Sequence, residues 1–259
     1  MRVFIQNDQD SDVLLHTFSS LFLSLTEDSL DVMQIEVSNL HKSYFDGEGH
    51  KLHILKGLNF EVISGSTVAI VGASGTGKST FLHTLGTLES IDQGQLYLDG
   101  KDMTGFTRNQ AAQFRNESIG FIFQFHQLLN DFNALENVMI PRLIHGENTG
   151  VVKKNAIDLL EKVGLAERAV HKPSQLSGGE QQRIAIARAL INNPRIVLAD
   201  EPTGNLDEET GVQVMDILLR LNQEHQTTFI MITHNPSLAS KMQFQYRMEN
   251  GQLHLIANK

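Results

Sequence analysis

The sequence predicts an α/β fold with a parallel sheet, and three observations predict it. Residues 67–71 and 196–199 are short apolar runs that contain β-branched side chains, as expected of strands covered on both faces. A third apolar run, 229–232, follows an amphipathic helical pattern over 209–223. Because strands that alternate with helices form parallel sheets with right-handed crossovers, these runs predict neighbouring strands of one sheet.

The other elements follow from Met33 onward, where the domain is predicted to begin. Ile35, Val37 and Leu40 alternate with polar residues, which is typical of a half-buried strand. Asp99 and Gly100 form a turn dipeptide that ends an antiparallel strand. Predicted strands cover 52–62, 94–100 and 119–125, a helix covers 79–88, and residues 130–192 are mostly helical in pattern.

Composition indicates a soluble globular protein and excludes several classes of site. The 259 residues allow one large domain or two small ones, with 41% hydrophobic and 20% charged residues. A net charge of −9 argues against sequence-independent binding to nucleic acid. The absence of cysteine excludes disulfides, thiolate metal sites and cysteine nucleophiles. No apolar stretch reaches the roughly 20 residues that a membrane span requires.

The negative charge is concentrated before Met33. Residues 1–32 carry six acidic side chains against Arg2 alone, a net −5, which leaves −4 for residues 33–259. The helical spacing of four apolar residues in the first segment favours a surface helix, and its acidic polar face argues against a membrane-surface helix. We expect 1–32 to be an appended segment or the product of an upstream start codon. The four apolar residues are Leu14, Phe18, Leu21 and Leu25.

A phosphate-binding loop follows the strand 67–71. The motif G-x-x-x-x-G-K-[ST] lies between a predicted strand and a predicted helix, which is the context that makes it credible. Its backbone N–H groups and the helix dipole favour a polyphosphate. Lys78 can reach the β- and γ-phosphates, and the Ser79 hydroxyl can bind Mg²⁺. The motif comprises Gly72, Ala73, Ser74, Gly75, Thr76, Gly77, Lys78, Ser79 and Thr80.

Two further segments have the chemistry of phosphate sites. Asp200 and Glu201 end the strand 196–199, where a carboxylate can hold Mg²⁺ through water. Ser177 and Glu180 have the spacing of a helix capping box. The two glycines between them disfavour a mere cap, because glycine is costly in a helix and indicates close approach of another group. The segment therefore predicts a second anion site.

Over about residues 33–255 the chain closely resembles the nucleotide-binding domain of ATP-binding cassette (ABC) transporters. In this resemblance Tyr44 matches the residue that stacks on adenine, and Gln124 matches the glutamine that contacts magnesium and the attacking water. Glu201 matches the catalytic glutamate and His234 the histidine that senses the γ-phosphate. Residues 196–200 match the second phosphate motif, with Asp200 as a magnesium ligand. The other matches are the signature motif at Leu176, Ser177, Gly178, Gly179 and Glu180, and the dimer-contact loop at Asn205, Leu206 and Asp207.

The resemblance implies a P-loop NTPase with a RecA-like parallel-sheet core, an N-terminal antiparallel β subdomain and a helical subdomain inserted over about 126–192. It implies ATP and Mg²⁺ as cofactors and a head-to-tail homodimer, with ATP between the phosphate loop of one copy and the signature motif of the other. Separately encoded transmembrane subunits are the other implied partners. The chain would then lie at the cytoplasmic face of a bacterial inner membrane and contact the membrane only through them.

The stretches 120–129, 131–138 and 198–207 most resemble the ATPase subunits of bacterial lipoprotein-releasing systems, although macrolide-export and cell-division relatives share much of the pattern. The apolar residues after Gln124 would dock a coupling helix of the membrane subunit, or else pack internally. A small-molecule kinase would need an acceptor site and a lid. A soluble cassette ATPase acting on DNA or ribosomes usually has a coiled-coil insertion or tandem cassettes, and this sequence has neither.

Overall fold

The computed structural model of the protein describes residues 33–259. The surface helix expected at Leu14, Phe18, Leu21 and Leu25, and the appended segment 1–32 as a whole, lie outside the described residues. No helix of the described part is long and apolar enough to cross a membrane.

The described chain alternates strands and helices after two initial strands. The strands are β1 (Met33–Phe45), β2 (Lys51–Ile63), β3 (Thr67–Val71), β4 (Gln93–Leu98), β5 (Lys101–Asp102), β6 (Ile119–Ile122), β7 (Ile196–Asp200), β8 (Thr228–Ile232), β9 (Phe244–Glu249) and β10 (Gln252–Asn258). The helices are α1 (Lys78–Leu85), α2 (Arg108–Ser118), α3 (Ala134–Ile144), α4 (Thr149–Lys162), α5 (Gly178–Leu190), α6 (Glu208–His225) and α7 (Pro236–Ala239).

A six-stranded sheet in the order β10-β9-β3-β8-β7-β6 forms the centre. The pairs β9-β3, β3-β8, β8-β7 and β7-β6 are parallel, and only β10 is antiparallel to its neighbour. All five residues of β8 are buried, as expected for a central strand covered on both faces. Because the strands are parallel, the loops after β3, β7 and β8 leave the sheet at the same edge, and this edge carries the phosphate loop, Glu201 and His234.

A four-stranded sheet in the order β2-β1-β4-β5 is antiparallel throughout. Asp99 and Gly100 both have positive φ, at 52° and 70°, so they form the tight turn that their dipeptide predicts. The backbone N–H of Lys56 in β2 donates to Gly251 O at 3.1 Å, which joins this sheet to the β9-β10 turn.

The helices α3, α4 and α5 lie between β6 and β7 in the chain, and their apolar faces share one buried cluster with β7 and α6. Thr107, Asn133 and Ser177 cap α2, α3 and α5 with reciprocal capping boxes. These caps satisfy N–H groups that the first helical turn cannot pair.

Sequence periodicity misplaced or missed several elements. The strand predicted over 119–125 ends at Ile122, because the chain turns there into the loop that carries Gln124. Helix α2 was not predicted, since Phe114 is its one buried residue and its other positions are polar. The β9-β10 hairpin was also not predicted, because most β10 residues are exposed and no apolar alternation distinguishes it.

Candidate ATP site

The phosphate loop joins β3 to α1 in a conformation that requires glycine at two positions. Gly77, the N-cap of α1, has φ 102°, and a Cβ there would lie 2.9 Å from Ile54 Cγ2. A Cβ at Gly72 would lie 2.6 Å from the backbone O of Met248. The loop is therefore fitted between β2 and β9, and no larger residue has room at these positions.

Lys78 begins α1 and holds its ammonium group inside the loop. Its Nζ donates to Gly72 O at 2.9 Å and to Ala73 O at 2.7 Å. Burial lowers the pKa of Lys78 below the ordinary lysine value, and the carboxylates of Glu201 and Asp200 oppose that shift. The ammonium group is thus partly desolvated and bonded only to carbonyls, and a polyphosphate is a stronger acceptor for its protons. Ser79, in the same turn, is exposed.

Glu201 follows β7 in a left-handed conformation, with φ 46°. Its N–H donates to Ile232 O at 3.0 Å, which fixes the backbone to β8. The carboxylate Oε1 lies 2.6 Å from Nε2 of His234, two residues after that strand. The parallel sheet thus brings Glu201 and His234 into direct contact. Asp200, the last residue of β7, is half-buried beside them.

The side chains of Gln124 and Glu201 both lie next to Gly204. A Cβ at Gly204 would lie 3.0 Å from Gln124 Nε2 and 3.2 Å from Glu201 Oε2. The backbone O of Gln124 accepts from Asn205 Nδ2 at 3.0 Å, and its amide donates to Asn205 Oδ1 at 3.4 Å. The loop after β6 and the loop after β7 are therefore coupled at Gly204, beside the Glu201 carboxylate.

The signature segment caps α5 and packs against the start of α6. Ser177 Oγ accepts from Glu180 N at 3.3 Å and donates to the Glu180 carboxylate at 2.9 Å. Gly179 is buried, and a Cβ there would lie 2.4 Å from Thr210 Cγ2. Ser177 and Gly178 are exposed, so the N-terminal end of α5 faces outward. In the same chain this segment contacts Leu206 and Thr210 rather than the phosphate loop. Leu176, the first residue of the segment, is buried.

Tyr44 lies near the end of β1, paired with Leu52 of β2. Two residues further along β2, Ile54 touches Gly77, so Tyr44 lies on the hairpin that borders the phosphate loop. Its ring lies beside the buried Lys42, whose Nζ is 5.3 Å from the ring centroid. Sequence reasoning missed Lys42, since a lysine in a strand gives no sign of burial.

The loop after Gln124 is held by two residues of α5 that sequence reasoning also missed. Gln182, fully buried, is bonded through Oε1 to His126 Nδ1 and donates to Phe123 O at 3.4 Å. Arg188 donates to the carbonyls of His126 and Gln127 at 2.8 and 2.7 Å. Both lie on a helix whose pattern predicts only apolar packing, so no sequence signal separated them from surface residues.

A cavity of about 670 Å³ lies between α1, β4 and α2. Its lining includes Leu88, Met103 and Arg115 and no residue of the phosphate loop. This concavity is therefore not the phosphate site. The phosphate loop instead lies on an open face, where Ala73, Ser74 and Gly75 are exposed.

Comparisons with known proteins agree on one family. Residues 55–204, more than half of the chain, match the family model described as "ABC transporter". The lipoprotein-releasing system ATP-binding protein LolD of Bdellovibrio bacteriovorus is 48% identical over 214 residues, which cover 83% of this chain and 97% of that protein. LolD of Idiomarina loihiensis is 48% identical over 220 residues, covering 85% of this chain and 96% of that protein.

Among solved structures, the ATP-binding cassette MJ0796 matches in two dimeric forms. One is a post-hydrolysis state bound to ADP and Pi, with a TM-score of 0.79 and 35% identity over 87% of this chain and all of that one. The other has the same TM-score and 36% identity. The predicted α/β fold with a parallel core and an antiparallel N-terminal sheet is thereby confirmed. The chain belongs to the ABC transporter family and is an ATP-binding cassette ATPase.

Proposed function

We propose that the protein is the ATP-hydrolysing subunit of a bacterial lipoprotein-releasing ABC transporter. The observation that carries the ATPase part is the convergence of Lys78, Glu201 and His234 at one edge of the parallel sheet. The lipoprotein-releasing part rests on the identity of 46–48% to LolD proteins over almost their whole length.

Within this proposal Glu201 is the catalytic carboxylate. Its Oε1 contacts His234, so the imidazole orients the carboxylate that accepts a proton from the attacking water. His234 follows β8, the neighbour of the strand that leads into the phosphate loop, and from there it would contact the γ-phosphate. The ammonium group of Lys78 exchanges its carbonyl partners for phosphate oxygens and offsets the charge that develops there.

The oxygen-bearing groups around the loop fit a magnesium ion. Mg²⁺ prefers oxygen ligands, and the Ser79 hydroxyl, the Gln124 amide and the Asp200 carboxylate supply them. When bound, the ion would act as a Lewis acid and stabilise the negative charge that develops on the phosphate during hydrolysis. Two hydrogen bonds join Gln124 to Asn205, so the Gln124 amide would be offered to the ion from a fixed loop.

A head-to-tail dimer completes the site. The phosphate loop lies on an open face, and Ser177 and Gly178 present the start of α5 outward in the same chain. In a dimer, this helix N-terminus would face the triphosphate held by the second copy, where backbone N–H groups and the helix dipole favour an anion. Asn205, Leu206 and Asp207, beside the signature segment, would form the dimer contact. Tyr44 would stack on the adenine.

The surface after Gln124 fits the membrane subunit. Phe125 is 70% exposed, and Leu129 and Phe132 are also exposed large apolar residues of this loop. Such a cluster on a soluble surface marks a protein contact, and the amphipathic coupling helix of a transmembrane partner is the occupant that the proposal requires. We propose that residues 33–259 form this ATPase domain, with 126–192 as its helical subdomain, held at the cytoplasmic face of the inner membrane through those partners.

The substitution Glu201→Gln tests the hydrolytic assignment. The variant keeps the size of the side chain and removes the base, so we expect ATP binding within about twofold of wild type and hydrolysis reduced by a factor on the order of 10³. The ATP-bound dimer should accumulate on a sizing column. Normal turnover by this variant would refute the assignment.

The assignment to lipoprotein release is tested by identifying the membrane subunit that binds this chain. Co-expression with candidate membrane subunits, followed by purification in detergent, should retain the chain with wild-type Phe125 and lose it with Phe125→Asp. Ile256→Asp is the matched control, because this side chain is exposed and β10 lies at the opposite edge of the six-stranded sheet from β6, which leads into the Gln124 loop. Retention of a membrane subunit of another transport class would reject lipoprotein release and leave the ATPase assignment intact.

A further inference from the structure

Lys42 is a buried lysine that faces the ring of Tyr44. The two residues are two positions apart on β1, and the ammonium group of Lys42 lies over the Tyr44 ring. Only 5% of Lys42 is exposed, and its Nζ lies 5.3 Å from the ring centroid, within the range of a cation–π interaction. A buried ammonium group is costly unless it is paired, so its other partners matter.

Those partners all lie in the loop that follows α1. Lys42 Nζ donates to Ser90 O at 2.7 Å and to Ser90 Oγ at 3.3 Å. It lies 3.3 Å from the Glu89 carboxylate and 3.8 Å from that of Asp92. Asp92 also accepts from the backbone N–H of Ser43 at 2.8 Å. Residues 89–92 thus bind the strand immediately before Tyr44 at two points.

These contacts join two parts of the ATP site through a short stretch of chain. The phosphate loop leads directly into α1, which ends at Leu85, four residues before Glu89. The turn between them is anchored too, because Arg115 donates to Thr87 O at 2.7 Å. The position of Tyr44 relative to the phosphate loop is therefore fixed by Lys42 and not only by the β1-β2 hairpin.

We propose that Lys42 is a positioning residue for the nucleobase. It occupies one face of the Tyr44 ring and would hold the opposite face for a purine base, on the hairpin that borders the phosphate loop. This inference rests on the proposed ATPase function and deepens it. The triphosphate itself is bound without Lys42, so Lys42 acts on ligands with a base and not on the phosphate chain alone.

The substitution Lys42→Met removes the charge and retains most of the side-chain length. Loss of an ordered stacking platform should raise KM for ATP about tenfold, with kcat within about twofold of wild type. The inhibition constant of inorganic tripolyphosphate, measured as a competitor of ATP, should stay unchanged. Lys42→Arg keeps a cation over the ring and should recover most of the affinity. Lys153→Met, at an exposed lysine of α4, is the matched control.

A double-mutant cycle separates positioning of Tyr44 from a general structural role. In the Lys42→Met background, Tyr44→Ala should raise KM for ATP by much less than it does in the wild type. Additive effects of the two substitutions, or equal weakening of tripolyphosphate and ATP, would overturn the inference. If the wild-type protein itself hydrolyses no ATP, the proposed function fails instead.

Thermal unfolding of each variant is measured as well, to detect a loss of stability. Glu89→Gln is a second variant, because it weakens the Lys42–Glu89 ion pair and leaves the lysine in place. It should raise KM for ATP about twofold to threefold and leave tripolyphosphate unaffected. An unchanged KM in Glu89→Gln, together with unfolding of Lys42→Met, would assign Lys42 to stability alone and so overturn its positioning role.

Discussion

Replacing Gly179 with alanine should destabilise the protein through one methyl group. The Cβ of alanine would lie 2.4 Å from Cγ2 of Thr210, whereas carbon atoms in contact need about 3.5 Å. One of the two helices must therefore shift by about 1 Å, or Thr210 must leave its rotamer, and β-branched side chains in helices have few alternatives. Overpacking of this kind costs about 1–3 kcal/mol.

The size of that cost sets the expected shift in melting temperature. For a domain of this length, 1 kcal/mol corresponds to about 2–4 °C, so Gly179→Ala should lower Tm by roughly 2–12 °C. Gly178→Ala is the matched control, since its nearest neighbour, Leu206 Cδ2, would lie at an ordinary 3.5 Å. It should leave Tm unchanged or raise it slightly, because alanine favours a helix.

The double variant Gly179→Ala/Thr210→Ser tests the cause. Serine removes the Cγ2 atom and keeps the hydroxyl, and the backbone N–H of Thr210 that donates to Asp207 at 2.9 Å is unaffected. Differential scanning calorimetry should therefore show most of the lost stability recovered. If Thr210→Ser worsens Gly179→Ala, or if Gly178→Ala is as harmful, the close approach of α5 and α6 is not what requires glycine.

Two further predictions concern the helix α5. Hydrogen bonds from Ser177 lower the pKa of Glu180 below its usual value, so the ionised carboxylate stabilises the fold at neutral pH and that contribution is lost as pH falls through the lowered pKa. Urea unfolding should therefore show Glu180→Gln less stable than wild type at neutral pH and the two nearly equal in acid, and a constant difference would contradict this. Arg188→Met leaves the carbonyls of His126 and Gln127 without their donor and should cost about 2–4 kcal/mol, measured in the same assay; a loss below about 0.5 kcal/mol would contradict it.

Local sequence signals predict the residues of the proposed site, but they do not predict the buried residues that support it. The phosphate loop, the end of β7 and the cap of α5 each follow from a few consecutive residues, because a turn, a strand end or a helix cap is a local structure. Gly179 illustrates the limit: the sequence indicates that something approaches it, and only the fold identifies Thr210, 31 positions away, as that neighbour. Lys42 and Gln182 were missed for the same reason, since burial of a polar residue depends on partners distant in the chain.

The backbone of Glu201 ties the fold to the proposed chemistry. A left-handed conformation is unfavourable for a residue with a side chain, by about 1 kcal/mol, and strain of this kind persists only where surrounding contacts impose it. Here the N–H bond to Ile232 and the bond from Gly204 N to Glu201 O, at 2.9 Å, impose it. The same φ turns the carboxylate toward His234 instead of along the strand. The substitution Glu201→Gly would relieve this strain and also remove the carboxylate. It should therefore raise the free energy of unfolding and abolish ATP hydrolysis.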